Sequence, residues 1–319
     1  MSKISFVIIT TGRNKQGLIK LFKSLSRQKR ADYEIEIVIA TESNGHELRD
    51  LAYQLTKIPN IKVVETGYWN RCRTANLAII SSEGEFVVLL EDDVELESQW
   101  LQKMLKCINI GRDIGCAYPI VINPLGSESV LAKSNSKVLR FMVKAINVLR
   151  VHHHFRKKNL DVFSLTVICK REALLKAELF DMRVEEPIVG EDYDLALRIK
   201  KAGHKVIACT EAKAFHYTFH IRKRALLALK RGPKWWGKLV ENNTYFFAKH
   251  YDLLGLAVYT HALYNALLSP LALLLSVKSS GVRFGVRFFI EIFLRSMKGS
   301  FTGLIRGILT RHKYLNIKR

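Results

Sequence analysis

The residues best suited to chemistry are three adjacent acids, Glu91, Asp92 and Asp93, which follow the apolar run Phe86 to Leu90 without a spacer. Adjacent carboxylates repel one another. Taking each out of water costs on the order of several kcal/mol unless a cation or hydrogen bonds compensate. The run therefore points to a bound cation, with a solvated strand end or a cap on the helix carrying Trp100 to Ile108 as the plainer reading. A second acidic group stands in GEDYDLALRIKKAGHKV, where Gly190 precedes Glu191, Asp192 and Asp194. Acids in the first turn and Arg198, Lys200 and Lys201 in the last suit a helix dipole. An Asp following a Gly at a helix start is also placed to point into a cleft, where a transfer reaction needs a general base.

The elements that must position these acids alternate. ISFVIIT (4–10) is a short β-branched run suited to a strand buried on both faces. Leu18, Leu21, Phe22 and Leu25 then recur at helical spacing. Strands are expected at 33–40, 61–66 and 85–90, with helices at 46–57 and around 70–82, and a later strand KVIACTEA leads to His216. This order predicts an α/β fold, a mostly parallel sheet flanked by helices. Ligands of such sheets bind beyond the carboxyl ends of the strands. Thr11 and Arg13 after the first strand, Glu42 after the second, and Asp92 and Asp93 after the fourth share that edge.

The formal charge of +22 is unevenly spread. Residues 1–218 hold 33 basic and 26 acidic residues, while residues 219–319 hold 18 basic and only 3 acidic. Such an excess serves nucleic acid, anionic lipid or a phosphorylated substrate. The five cysteines show neither CxxC nor zinc-like spacing, which fits reduced thiols in a cytosolic compartment. The first residues lack the apolar stretch of a signal peptide and read as a strand.

Several segments, in this order, resemble the inverting family 2 glycosyltransferases of the GT-A (Rossmann-like) fold: ISFVIITTGRN, EIVIATESNG, TANLAIISSEGEFVVLLEDDVEL, SLTVICKREALLKAELFD and GEDYDLALRIKKAGHKV. The likeness covers roughly residues 3–220, which are expected to form the transferase domain (1–220). It implies that Glu91, Asp92 and Asp93 stand on the metal motif, with Asp93 the direct ligand of Mg2+ or Mn2+, Glu91 beside it and His216 a third ligand. It implies Asp192 as the catalytic base, and Thr11, Arg13, Glu42, Asn76 and Asp92 as donor-binding residues. Glu191, Trp235 and Trp236 are acceptor-side candidates. Thr41 stands where the family's nucleotide turn has an Asp, so uridine, guanosine and thymidine donors all stay open.

The last third carries a different pattern. Residues 253–277 contain no Asp, Glu, Lys or Arg, enough to span a bilayer or to lie in its plane as a bent hairpin. Basic and aromatic residues flank it, so 221–319 is expected to be a helical, hydrophobic and basic membrane-associated region. Long greasy runs among the bases favour a membrane over nucleic acid. The basic stretch 138–159, with its histidine run at 152–154, is expected to face acceptor or membrane. Consecutive residues on a helix point apart and do not chelate together.

The expected function is transfer of one sugar from a nucleoside-diphosphate donor to a lipid-linked or surface-glycan acceptor, at the cytoplasmic side of the cell membrane. Two alternatives stand beside it: a polyprenyl-phosphate glycosyltransferase, whose phosphate nucleophile needs no base, and a non-catalytic membrane- or nucleic-acid-binding relative.

Overall fold

The computed structural model describes residues 2–29, 33–124, 163, 165–217, 221–271, 273 and 286–316. The expectations for 138–159 and for 274–277 lie outside these residues. The chain divides into two compact units: residues 1–124, 161–183 and 191–218 form the first, and 125–160, 184–190 and 219–319 the second.

The first unit is built on an eight-stranded sheet. In chain order its elements are β1 (Lys3–Ile9), α1 (Lys15–Ser26), β2 (Glu34–Thr41), α2 (Gly45–Thr56), β3 (Ile61–Glu65), α3 (Arg71–Ser81), β4 (Phe86–Glu91), β5 (Val94–Leu96), α4 (Trp100–Ile108), β6 (Ile114–Ile122), β7 (Thr166–Lys170), α5 (Arg171–Lys176), α6 (Glu191–Lys201) and β8 (Lys205–His216). The strands lie in the order β3-β2-β1-β4-β7-β6-β8-β5. Leu18, Leu21, Phe22 and Leu25 of α1 bury as their spacing predicts, in one core with Ile4, Phe6, Ile8, Ile37 and Ile39 of the sheet. Removing these apolar surfaces from water is the main force holding helix to sheet.

The sheet is mixed, with four of its seven strand pairings parallel. Strands β1, β2, β3 and β4 run parallel, but β7 pairs antiparallel with both β4 and β6. Strand β8 is parallel to β6 and antiparallel to β5. The strand–helix alternation visible in the sequence holds only as far as β4. Beyond it, β7 joins the centre of the sheet in reverse, and the three-residue β5 is too short to show a period.

Cysteine pairing also departs from expectation. Cys116 of β6 is bonded to Cys169 of β7, and Cys107 of α4 to Cys209 of β8, leaving Cys72 free and buried. The reduced-thiol reading therefore fails for four of the five. The register of β6 on β7 sets Cys116 directly opposite Cys169, a relation that linear spacing does not reveal.

The second unit is helical. Helix α7 (Ile221–Ala248) is interrupted at Gly232, whose φ of 84° is left-handed, just before Pro233. The short α8 (Tyr251–Leu254) and α9 (Ala257–Leu263) follow, then a π-helical segment Tyr264–Leu268 and the long α10 (Val286–Asn316). Helix α10 lies close against α7 because Gly299, Gly303 and Gly307 present no side chain. A Cβ at Gly303 would strike the carbonyl of Glu241 and meet Cβ of Thr244 at 3.0 Å.

The apolar stretch beginning at 253 is not one helix. It breaks at Gly255, with φ 59° and ψ −138°. Its polar residues are used inside the unit: Asn265 Nδ2 donates to Asn243 Oδ1 and to Thr244 Oγ1, both at 3.0 Å. Among the described residues, no helix is long and apolar enough to cross a membrane.

Candidate functional site

Strands β1, β2 and β4 end level with one another, since Ile9 pairs with both Ala40 and Glu91. The first turn, Thr10 to Asn14, and the acids after β4 therefore meet at one sheet edge. Thr10 Oγ1 donates to Asp92 Oδ2 at 2.5 Å and accepts from Gly12 N at 2.9 Å. Asn14 Nδ2 reaches the main-chain oxygen of Asp92 at 3.2 Å and its Oδ1 at 3.3 Å. The same Asn14 caps α1 by accepting from Gly17 N. Gly17 must lack a side chain here, because a Cβ would collide with Asp92 O and with the Asn14 amide. Burial pushes the Asp92 carboxyl above its ordinary range; the Thr10 and Asn14 hydrogen bonds oppose that shift, and the charges of Asp93 and Glu91 add to it.

Asp93 turns the other way. The short β5 pairs Val94 with His216 at the end of β8, and Tyr217 N donates to Asp93 O at 2.9 Å. This pairing brings His216 Nε2 to 2.9 Å from Asp93 Oδ1 and 3.7 Å from Glu91 Oε2. Glu91, Asp93 and His216 each offer one ligand atom, and these atoms all lie within 4.8 Å of one another. Two carboxylate oxygens and one imidazole nitrogen make a donor set that suits a divalent ion such as Mn2+.

The acids of α6 have separate partners. Asp194, with a fully buried side chain, is paired with Arg198 at 2.9 Å. Arg198 also donates to the carbonyl of Ala177. Glu191 accepts from Arg71 at 3.3 Å, and the same Arg71 nitrogen lies 2.7 Å from Glu91 Oε1. Asp192 takes a hydrogen bond from the backbone N of Tyr193 at 2.9 Å. Its carboxyl is pushed well above the usual carboxylate range, chiefly by loss of solvent and next by the negative charge of Glu191.

Of the sequence-predicted residues, this edge of the first unit gathers Glu91, Asp92, Asp93, His216, Arg13 and Glu42. Arg13 and Glu42 form an exposed ion pair at 3.3 Å. Thr11 lies between them and Thr10 in the partly exposed turn. The Asn76 amide is buried, donating to Phe180 O and accepting from Phe180 N, both at 2.8 Å. It clamps α3 to the segment after α5. Trp235 and Trp236 belong to the second unit, half-buried against Phe288, Ile292 and Leu273, with Trp236 Nε1 donating to Ser296 Oγ at 2.9 Å. Both indoles thus serve helix packing within that unit. Arg71 was not singled out by its sequence. The only local signal is its place just after the helix cap Asn70, which says nothing of two acids far along the chain.

Comparison with known proteins decides the family. Residues 5–181 match Glycosyl transferase family 2, which is more than half of the chain. The chain belongs to glycosyl transferase family 2. The matched residues include the Glu91–Asp93 acids and end before α6; His216 reaches these acids directly and Glu191 through Arg71. The O-antigen chain rhamnosyltransferase WbaN of Salmonella anatum is 24% identical over 196 residues, covering 59% of this chain and 58% of that protein. The chain thus spans well under two thirds of that relative's length.

Among solved structures, the mannosyltransferase PcManGT from Pyrobaculum calidifontis, in complex with GDP-Man and Mn2+, superposes with a TM-score of 0.56 at 15% identity. It covers 96% of this chain and 87% of its own. GalNAc-T7 with UDP, GalNAc and Mn2+ gives 0.55 at 15% identity, over 93% of this chain and 55% of its own. This family 2 chain shares their fold, and among the described residues Glu91, Asp93 and His216 form a group that could hold a metal ion.

Proposed function

We propose that the protein transfers a single sugar from a nucleoside-diphosphate sugar to a hydroxyl of a lipid-linked or surface-glycan acceptor, with inversion at the anomeric carbon. The observation that carries this reading is the division of labour among the acids. Asp194 is neutralised by Arg198 and Glu191 by Arg71, whereas Asp192 has a backbone hydrogen bond and a raised affinity for protons. A carboxylate in that setting is suited to act as a general base.

In the proposed step, Asp192 accepts the proton of the acceptor hydroxyl as its oxygen bonds to the anomeric carbon. The bond from that carbon to the diphosphate oxygen breaks, and its electron pair leaves with the nucleoside diphosphate. A single displacement inverts the carbon. A divalent cation on Glu91, Asp93 and His216 would offset the charge gathering on the diphosphate. Thr10 and Asn14 hold Asp92 against the first turn, and in this reading Asp92, Arg13 and Glu42 bind the nucleoside. The WbaN likeness supports a cell-surface glycan as the acceptor class, and uridine, guanosine and thymidine donors stay open. The basic last third supports work at a membrane.

The test is sugar transfer from UDP-, GDP- and dTDP-sugars into membrane extracts with Mn2+ or Mg2+, with Asp192→Asn alongside. Transfer from one donor class that Asp192→Asn abolishes is expected. Transfer that survives Asp192→Asn would replace the hydroxyl acceptor by a polyprenyl phosphate. No transfer from any donor by folded protein would replace the enzyme by a binding protein.

A further inference from the structure

The second unit carries an apolar surface that sugar transfer does not use. Along α10, Ile290, Leu294, Met297, Phe301, Ile305 and Leu309 recur every third or fourth residue and are all exposed, Phe301 by 66% and Leu294 by 59%. That spacing is one face of a helix. It is not the face that packs on α7, which is the glycine row Gly299, Gly303 and Gly307. A second exposed row, Leu256, Tyr259 and Leu263, lies along α9.

The two rows look the same way. Ser300 Oγ of α10 donates to Ala262 O of α9 at 2.6 Å, and Ile292 shares an apolar cluster with Leu273. Numbers rise along one segment as they fall along the other, so the two run antiparallel. In an antiparallel pair, the residue after each contact residue turns to the same side of the seam. Those residues are Leu263 and Phe301. The joint apolar face is about 28 Å long on α10 alone, at 1.5 Å per residue. An apolar patch of such extent marks a binding surface.

Charge selects the occupant. Residues 219–319 carry 18 basic and 3 acidic residues, and Arg287 and Lys298 of α10 are exposed. A second copy would set positive charge against positive charge, whereas an anionic lipid surface supplies the complement. We propose that α9 and α10 dock flat on an anionic bilayer. The two apolar rows enter the headgroup–acyl boundary, and the basic side chains meet lipid phosphates. This extends the membrane placement proposed above and stands on residues apart from the sugar-transfer site, so nucleotide binding separates failure of one from failure of the other.

The experiment is sedimentation of the full chain with vesicles of phosphatidylcholine alone or mixed with phosphatidylglycerol. Binding to the mixed vesicles, weakened by salt, is expected. Leu294→Glu with Phe301→Glu, both at exposed positions, should weaken it by about a hundredfold or more while circular dichroism and nucleotide binding stay unchanged. Arg287→Gln with Lys298→Gln should weaken it about thirtyfold. Failure to sediment with either vesicle would overturn the proposal. So would undiminished binding by the Leu294/Phe301 double variant, a dimer in buffer that the double variant dissociates, or binding to nucleic acid in place of lipid.

Discussion

His216 Nε2 sits 2.9 Å from Asp93 Oδ1, because the three-residue strand β5 pairs with the last residues of β8 and brings the chain's two distant ends of the cluster together. Asp93 and His216 are therefore candidate ligands that the backbone ladder positions, with Glu91 completing the candidate set. Asp93→Ala or His216→Ala should lower Mn2+ affinity by at least about tenfold, read from the electron paramagnetic resonance signal of free Mn2+. Affinity unchanged by both variants would remove the cluster as a cation site.

Asp192 should govern the pH dependence. Its folded-state pKa is raised by burial and by Glu191, so turnover should rise with pH through a midpoint above the ordinary carboxylate range. Linkage gives the sign for stability. The folded state keeps this proton to higher pH than the unfolded chain does, so stability falls as pH rises from the unfolded carboxylate pKa through the folded one. Asp192→Asn should accordingly raise Tm at neutral pH, and the gain should shrink as the pH falls toward the unfolded value. A Tm gain independent of pH would contradict the shift.

Arg198 should be structural. Its side chain is 7% exposed and that of its partner Asp194 is fully buried, so Arg198→Ala leaves an uncompensated carboxylate and should cost about 3–5 kcal/mol. Chemical denaturation reads this directly. Arg71→Ala takes the cation away from Glu191, whose side chain is 5% exposed, so it should cost stability too and lower turnover by about 10- to 100-fold, the worth of charged hydrogen bonds to Glu91 and Glu191. Arg71→Lys should recover part of it.

The disulfides give a count. With Cys107–Cys209 and Cys116–Cys169 joined, thiol titration of the denatured, unreduced protein should find one thiol, that of Cys72. Five thiols would restore the reduced-cytosolic reading. Reduction of the bonded form should lower Tm, since closing long loops stabilises by about 2–4 kcal/mol each.

The legible parts of this molecule are the local ones. Glu91 to Asp93 announced themselves by following five apolar residues, and Glu191 to Asp194 by opening an amphipathic helix. His216 was visible as a strand-end histidine. Arg71 was not, because its value lies in bridging Glu91 and Glu191, a relation between chain segments that no spacing encodes. Asn76 shows a related limit: the sequence of α3 does not reveal that its amide meets the backbone of Phe180. Hydropathy marked the stretch from 253 by composition, but Gly255 breaks it and Asn265 ties it to Asn243. Side chains of identical composition can span a bilayer or pack on α10, and the backbone decides.

The central claim is that Glu91, Asp93 and His216 hold the cation that holds the donor diphosphate. The most direct measurement is calorimetric binding of UDP, GDP and dTDP with and without Mn2+, on the native chain and on Asp93→Ala. The account predicts that one nucleotide binds tightly only with Mn2+, and that Asp93→Ala loses this dependence. Nucleotide binding of equal strength without metal, or metal-dependent binding that Asp93→Ala leaves untouched, would contradict it.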